Sequence, residues 1–324
     1  MAATVPPPPS EPTRDASAEV APVAARPAMA EPVASRPAAA APIATQPVIA
    51  KPAARERSAD HRVTAWRWWN RWIYWLYERR LLAQVKGGMV PQHLGIIMDG
   101  NRRFARALGL DPKAGHDYGA GKARDVLRWC LDLGIRHVTL WGFSTENKGR
   151  SLEEVAHLHR IFAAQAREFL SDRELHAHRV RVRVIGDIDD FPADAQAALR
   201  EMEAGTAHYD ALHLHVALGY GGREEIVWAV RTALQERAAR GEDLATAAAG
   251  LDANDITAHL YTAGVPDPDF VVRTSGEVRS SGFLLWQSAY AEFYFCDAYW
   301  PEFRRIDFLR AIRSFQQRNR RFGR

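Results

Sequence analysis

A mainly parallel β-sheet covered by helices, an α/β fold, is predicted for the greater part of this 324-residue chain. Three observations carry that expectation. From Pro91 onward, short apolar runs alternate with longer helical stretches, the pattern of a parallel sheet with crossover helices. Apolar residues make up 47% and charged residues 25%, which suffices for a core. The only cysteines, Cys130 and Cys296, exclude a disulfide framework and a Cys-based zinc cluster, so packing must hold the fold. A reducing cytoplasm is the expected compartment. No run approaches the roughly 20 apolar residues of a membrane span, and no secretory leader is expected.

The first 58 residues read differently. Twelve of the 18 prolines lie in the first 52 residues, in a ten-residue repeat typified by APVAARPAMA. Proline at every fifth position forbids a regular helix, and Ala/Val spacers offer no bulky core. Residues 1–58 are therefore expected to be a disordered Pro/Ala-rich tail, too short in period for a solenoid.

Residues 61–86, HRVTAWRWWNRWIYWLYERRLLAQVK, form the next unit. They hold five of the ten tryptophans, and six basic residues against the single Glu78. The residues outside this segment are close to neutral, so the basic pI does not describe a nucleic-acid-binding domain. Wound at about 100° per residue, Trp66, Trp69, Trp72, Ile73 and Leu76 share one half of a helix with Trp68 and Trp75. Docking of this aromatic face on the main domain is the favoured expectation. An interfacial helix in peripheral contact with anionic lipid is the alternative.

Residues 87–324 are the expected catalytic domain. Strands are predicted at His93–Met98, His137–Phe143, Val180–Ile185, Leu212–Leu218, Phe270–Arg273 and Glu292–Phe295. Helices are predicted near Gly121–Leu133, Leu152–His176, Ala193–Glu203, Glu224–Ala239, Asp255–Thr262 and Asp307–Arg320. Ligands of such sheets bind beyond the carboxyl ends of the strands. There the sequence places Asp99-Gly100-Asn101-Arg102-Arg103 opening a helix, then Ser144-Thr145-Glu146-Asn147-Lys148-Gly149-Arg150, then Arg273-Thr274-Ser275 with Arg279, Ser280 and Ser281 close behind. Guanidinium forks and helix N-terminal N–H groups bind phosphate oxygens, and a neighbouring carboxylate can hold Mg²⁺ between them. Three such ends imply several phosphates in one site.

Other motifs fail. No G-x-x-x-x-G-K-[ST] loop exists, and Gly219-Tyr220-Gly221-Gly222 is a weak echo of a dinucleotide loop. Asp187, Asp189 and Asp190 are expected to end a strand and cap the helix near Pro192. The pairs His157/His159, His176/His178 and His213/His215 lack a third ligand at a metal-binding spacing.

Taken in order, HLGIIMDGNRRFAR, GHDYGAGK, LWGFSTENKGR, LGYGGREEIV, PDPDFVVRTSGEVRSSGFLLWQSAYAEFYF and the closing RRFG closely resemble the cis-prenyltransferases, the undecaprenyl diphosphate synthase-like family. The resemblance runs from about His93 to Gly323. It implies a homodimer with a hydrophobic tunnel and Mg²⁺-dependent condensation of isopentenyl diphosphate with an allylic diphosphate. On the matching positions, Asp99 becomes the essential metal- and diphosphate-handling carboxylate and Glu292 the second metal-linked one. Gly100, Asn101, Arg102, Arg103 and His116 are assigned to the allylic diphosphate, together with Ser144, Thr145 and Glu146. Asn147 acts near the proton that is lost. Arg150, Arg273, Arg279, Ser280 and Ser281 hold isopentenyl diphosphate.

Three positions depart from the family pattern. Phe104 and Lys148 replace tryptophans, and Pro112 stands where arginine is usual, with Lys113 beside it. Phe104, Lys113 and Lys148 are still expected among the substrate-binding residues, and these changes bear on substrate preference. Gly142, beside the tunnel, suits a medium or long product, whereas Arg102 and YERRLLAQ resemble short-product members. A non-catalytic partner subunit on the same fold is the other alternative, and the presence of Asp99 argues against it.

Overall fold

The computed structural model describes residues 63–318, with side chains from Trp72 onward. The predicted tail and the closing RRFG lie outside that range. Ten α-helices and six strands follow in the order α1 (Val63–Val85), β1 (His93–Ile97), α2 (Asn101–Ala107), α3 (Pro112–Leu133), β2 (His137–Trp141), α4 (Leu152–Ser171), α5 (Arg173–Ala177), β3 (Val180–Ile185), α6 (Ala193–Thr206), β4 (Leu212–Ala217), α7 (Gly222–Ala239), α8 (Leu244–Gly250), α9 (Ala253–His259), β5 (Phe270–Arg273), β6 (Glu292–Phe295) and α10 (Arg305–Gln317). The strands form one sheet in the order β3-β4-β2-β1-β5-β6. Every pairing is parallel.

β1 and β5 are buried along their whole length, which is why they read as unbroken apolar runs rather than alternating ones. Leu94, Ile96, Val138, Leu140 and Leu214 belong to the larger core, shared with α3, α4, α6 and α10. Ile97, Ala217 and Val271 belong to a second cluster with Tyr220, Phe283 and Leu284. At the amino ends of the strands, His93, His137 and His213 occupy one level of the register. The rings of His137 and His213 stack at 4.8 Å, and His215 lies 6.1 Å from His93. These histidines are packed groups. Among the described residues no group of three or more His, Cys, Asp or Glu side chains is placed to hold a metal.

All six predicted strands are present, each within two residues of its expected end. The helices diverge more. α3 begins at Pro112, nine residues before the expected start; Asp111 caps it by accepting the Lys113 N–H at 2.8 Å. The glycines of its first half serve packing. A Cβ on Gly115 would sit 2.0 Å from the Asn101 carbonyl oxygen, so glycine lets α2 and α3 touch backbone to side. The helix expected over Leu152–His176 breaks at Asp172, whose carboxylate caps α5. α6 has no side-chain cap. Asp187 and Asp190 instead meet Lys148, at 3.7 and 2.7 Å, which corrects their expected capping role.

α1 also differs from expectation. It docks on α10 through its last turns: Leu81 and Val85 are fully buried, and Gln316 donates to the Val85 carbonyl at 3.0 Å. The aromatic stretch Trp72–Leu76 is exposed and does not dock.

Candidate active site

The carboxyl ends of β1, β2 and β5 converge on one polar cavity of about 640 Å³. Two backbone devices hold its floor. Gly100 turns the chain at φ +105°, a left-handed conformation, and a Cβ there would meet Tyr299 at 2.7 Å. Thr274 Oγ1 accepts the Asp99 N–H at 3.0 Å and donates to the Asp99 carbonyl oxygen at 2.7 Å, locking the ends of β1 and β5 together.

Asp99 is the centre of the arrangement. Arg273 Nη2 donates to its Oδ2 at 2.7 Å, and Arg103 Nη2 lies 3.2 Å from Oδ1. Burial pushes this carboxyl up. The Arg273 hydrogen bond and charge, the Arg103 charge and the Ser275 hydroxyl outweigh that effect and hold it below the usual carboxylate range. Asp99 is therefore ionised at neutral pH. Arg103 is further fixed by Glu277 at 2.9 Å and Ser275 at 2.7 Å. Arg273 also donates to Ser281 Oγ at 2.8 Å and to the Arg279 carbonyl at 2.5 Å.

A second hub faces it. Glu154, almost fully buried at the start of α4, lies 3.1 Å from Arg150, 3.2 Å from His116 and 3.7 Å from Arg102. Burial lowers the pKa of both His116 and Arg150, so the imidazole is neutral at pH 7 while the guanidinium, starting far higher, keeps its charge. On the β2 side, Ser144 and Asn147 cap each other: Asn147 Oδ1 accepts the Ser144 N–H at 3.1 Å, and Ser144 Oγ accepts the Asn147 N–H at 3.3 Å. The amide of Asn147 is thus aimed rather than free.

Charge and hydrogen-bond accounting show what the cavity suits. Arg102, Arg103, Arg106, Arg150 and Arg273 line it against only Asp99 and Glu146. Arg273 is nearly buried, yet its Nε–H has no hydrogen-bond partner, and neither does Arg102 Nε. Buried donors without acceptors are costly, and a polyanion with several oxygens would satisfy them. Adjoining the polar cavity is an apolar one of about 140 Å³ between α3, α4, α6 and the sheet. Met98, Asn101, His116 and Gly142 line both. The arrangement suits a molecule with a charged head and a hydrocarbon tail.

The sequence-derived residues fall into four groups. Asp99, Asn101, Arg102, Arg103, His116, Ser144, Glu146, Asn147, Arg150, Arg273 and Ser281 line the polar cavity. Gly100 and Thr145 shape its backbone, the Thr145 N–H donating to the Tyr220 carbonyl at 3.2 Å. Arg279 is exposed and pairs with Glu277 at the rim, and the Ser280 carbonyl accepts the Phe283 N–H at 3.1 Å. The rest lie outside. Lys113 bonds Glu153, Lys148 bonds Asp190, and Phe104 packs edge-on against Tyr118 at 5.6 Å. Glu292 is level with Leu94 through the register of β6, β5 and β1, five residues below Asp99. At roughly 3.3 Å per residue that is about 16 Å along the strands, so within one chain the two carboxylates are not a pair. Glu292 instead lies 3.5 Å from Arg318.

Sequence reasoning missed Glu154 and Glu277, and it named Thr274 and Ser275 only as part of a strand-end run, without their contacts to Asp99 and Arg103. Glu154 follows Ser151 at the spacing of a helix capping box, and its N–H does bond Ser151 Oγ at 3.3 Å. That pattern conceals its second use as an arginine anchor.

Comparison with known proteins places this geometry. Residues 97–323 match the family model described as putative undecaprenyl diphosphate synthase. An isoprenyl transferase of Thermus thermophilus is 56% identical over 255 residues, covering 79% of this chain and 97% of its own. A Methanopyrus kandleri protein named tritrans,polycis-undecaprenyl-diphosphate synthase (geranylgeranyl-diphosphate specific) is 47% identical over 252 residues, 78% of this chain and 92% of its own. Among solved structures, lavandulyl diphosphate synthase from Lavandula x intermedia, in complex with dimethylallyl diphosphate, superposes with a TM-score of 0.66. It is 32% identical and covers 72% of this chain and 99% of its own. On the matched sequence and the sheet that carries it, the chain belongs to the undecaprenyl diphosphate synthase family of cis-prenyltransferases.

Proposed function

We propose that this isoprenyl transferase adds isopentenyl diphosphate to an allylic diphosphate in Z geometry, with both diphosphates at the carboxyl edge of the sheet and the growing chain in the apolar cavity. The observation that carries this reading is the buried Arg273, bonded to Asp99 and Ser281 yet left with an unpartnered Nε–H. Arg273, Ser281 and Arg279 hold the isopentenyl diphosphate. Arg102, Arg103 and the uncapped first turn of α2 hold the allylic diphosphate.

The donor set fits a divalent cation only in part. Asp99 is the one carboxylate at the centre, so Mg²⁺ would be bound by Asp99 together with substrate oxygens and water, the usual manner for this ion. Once bound, it supplies Lewis-acid neutralisation of charge on the leaving diphosphate. Arg103 and the α2 N–H groups stabilise the same charge as the allylic C–O bond breaks. The isopentenyl double bond then attacks the allylic carbon. Its proton departs to a diphosphate oxygen, and the Asn147 amide, held by Ser144, orients that transfer. Glu154 keeps Arg102 and Arg150 apart and in place throughout.

Gly142 supports a medium or long product. A Cβ there would come 3.1 Å from Leu218 and 3.6 Å from Phe162, so glycine keeps the passage between the cavities open. At about 0.8 kcal/mol per buried CH₂, each added five-carbon unit gains on the order of 4 kcal/mol in apolar surroundings.

The test is purified protein with Mg²⁺, labelled isopentenyl diphosphate and geranyl, farnesyl or geranylgeranyl diphosphate. Diphosphate release and a Z-polyprenyl product are expected, with turnover lost in Asp99→Ala while its melting temperature is retained. Near-normal turnover in that variant would overturn the assignment of Asp99.

A further inference from the structure

We propose that residues 72–80 of α1 form a landing surface for an anionic lipid bilayer. Trp72, Ile73, Tyr74, Trp75 and Leu76 are 57, 61, 52, 47 and 57% exposed. Five consecutive residues of a helix point in all directions, so half exposure at every one means that most of this turn is open, with Arg304 resting on Tyr74. The helix is buried below it, at Leu81 and Val85. Upstream the sequence adds Trp66, Trp68 and Trp69.

The charge around the run selects its partner. Arg79 and Arg80 are exposed, and the Arg79 guanidinium lies 4.7 Å from the centre of the Trp75 ring. From α10 and the residue before it, Arg310 lies 5.3 Å over Tyr77 and Arg304 lies 5.6 Å over Tyr74. The nearby acids are already committed. Glu78 is 3.7 Å from Arg305, and the buried Asp307 is paired with Arg304 and Arg310. What faces solvent is therefore aromatic and cationic together.

Tryptophan and tyrosine favour the headgroup region of a bilayer, and arginine beside them is drawn to anionic lipid. No helix among the described residues is long and apolar enough to cross a membrane, so α1 would lie on the surface. A second copy of the chain is a poorer occupant. A two-fold contact through this turn would set Arg79 and Arg80 near the same two residues of the partner. The orientation of α1 is also fixed, because Arg305 bridges Glu78 to Asp132 at the end of α3, the helix that walls the apolar cavity.

The experiment is flotation of the full chain with vesicles of phosphatidylcholine alone or mixed with phosphatidylglycerol. Three variants are compared: wild type, Trp72→Ser/Trp75→Ser and Arg79→Gln/Arg80→Gln. The wild type should prefer anionic vesicles by roughly tenfold or more, the tryptophan pair should lose roughly tenfold in binding, and the arginine pair should lose the preference. Turnover without vesicles and the melting temperature should stay unchanged, since none of these side chains lines the site. Equal binding to both vesicles, or undiminished binding by the tryptophan variant, would overturn the proposal. So would a tryptophan variant that changes oligomeric state yet still floats, which would assign the surface to a second copy.

Discussion

Replacing Glu154 by glutamine removes one charge from the least exposed ion cluster of the site and leaves its shape nearly intact. The two guanidiniums at 3.1 and 3.7 Å then lose their shared counterion, while the glutamine carbonyl oxygen can still accept from His116. At an effective dielectric of about 20, the Arg150 contact alone is worth about 5 kcal/mol of Coulomb attraction before desolvation is subtracted. Breaking a buried pair by removing one partner typically costs about 3–5 kcal/mol. Side-chain exposures of 23% for Arg150 and 39% for Arg102 let water replace part of the loss. The expected destabilisation is about 2–3 kcal/mol, or a fall in melting temperature of roughly 5–10 °C for a chain of this size. Thermal unfolding with and without inorganic pyrophosphate measures it. Pyrophosphate should raise the melting temperature of Glu154→Gln more than that of the wild type, because the anion meets one more uncompensated positive charge. A variant that melts with the wild type, or gains no more from pyrophosphate, would refute the role of Glu154 as counterion and placeholder for phosphate.

Two further outcomes are expected. Gly142→Leu should shorten the product, since its side chain enters the passage shared by the two cavities and each excluded unit forfeits about 4 kcal/mol of burial; chromatography of dephosphorylated products shows whether the distribution moves. Stability should fall in acid through the histidine cluster. Burial lowers His93 to about 4 and His215 to about 3, below the unfolded value of 6.5, so the unfolded chain takes up protons first. The stabilisation is complete above pH 6.5 and is lost as pH falls toward 4. For His93 the difference of 6.5 − 4 = 2.5 units amounts to about 3 kcal/mol, and denaturant melts across that range should flatten in His93→Asn.

Legibility in the sequence followed burial. β1 and β5 were readable because strands covered on both faces are nearly continuous apolar runs. The residues after them were readable because few other settings place arginine, serine and aspartate together at strand ends. What escaped depended on contacts between distant segments. The first half of α3 holds glycines whose value lies in their approach to α2. α8, with the sequence LATAAAG, has almost no polar–apolar contrast. Glu154 resembles an ordinary capping residue, and the separation of Glu292 from Asp99 follows from strand register, which no local pattern encodes. For α1, the helical wheel identified an aromatic face, but burial falls on the leucine and valine of its last turns.

The lip shared by the two cavities has a kinetic corollary. On the proposed placement of the chain, each round of elongation would bring the new terminal unit past Met98, Asn101, His116 and Gly142 before the next addition. A bias imposed there is therefore not applied once per molecule; it compounds with every cycle. An effect of about 1 kcal/mol at the lip, roughly fivefold in a single step, becomes steep discrimination after several steps. A narrow distribution of lengths can thus arise from a modest constriction near the entrance, with no wall needed at the far end.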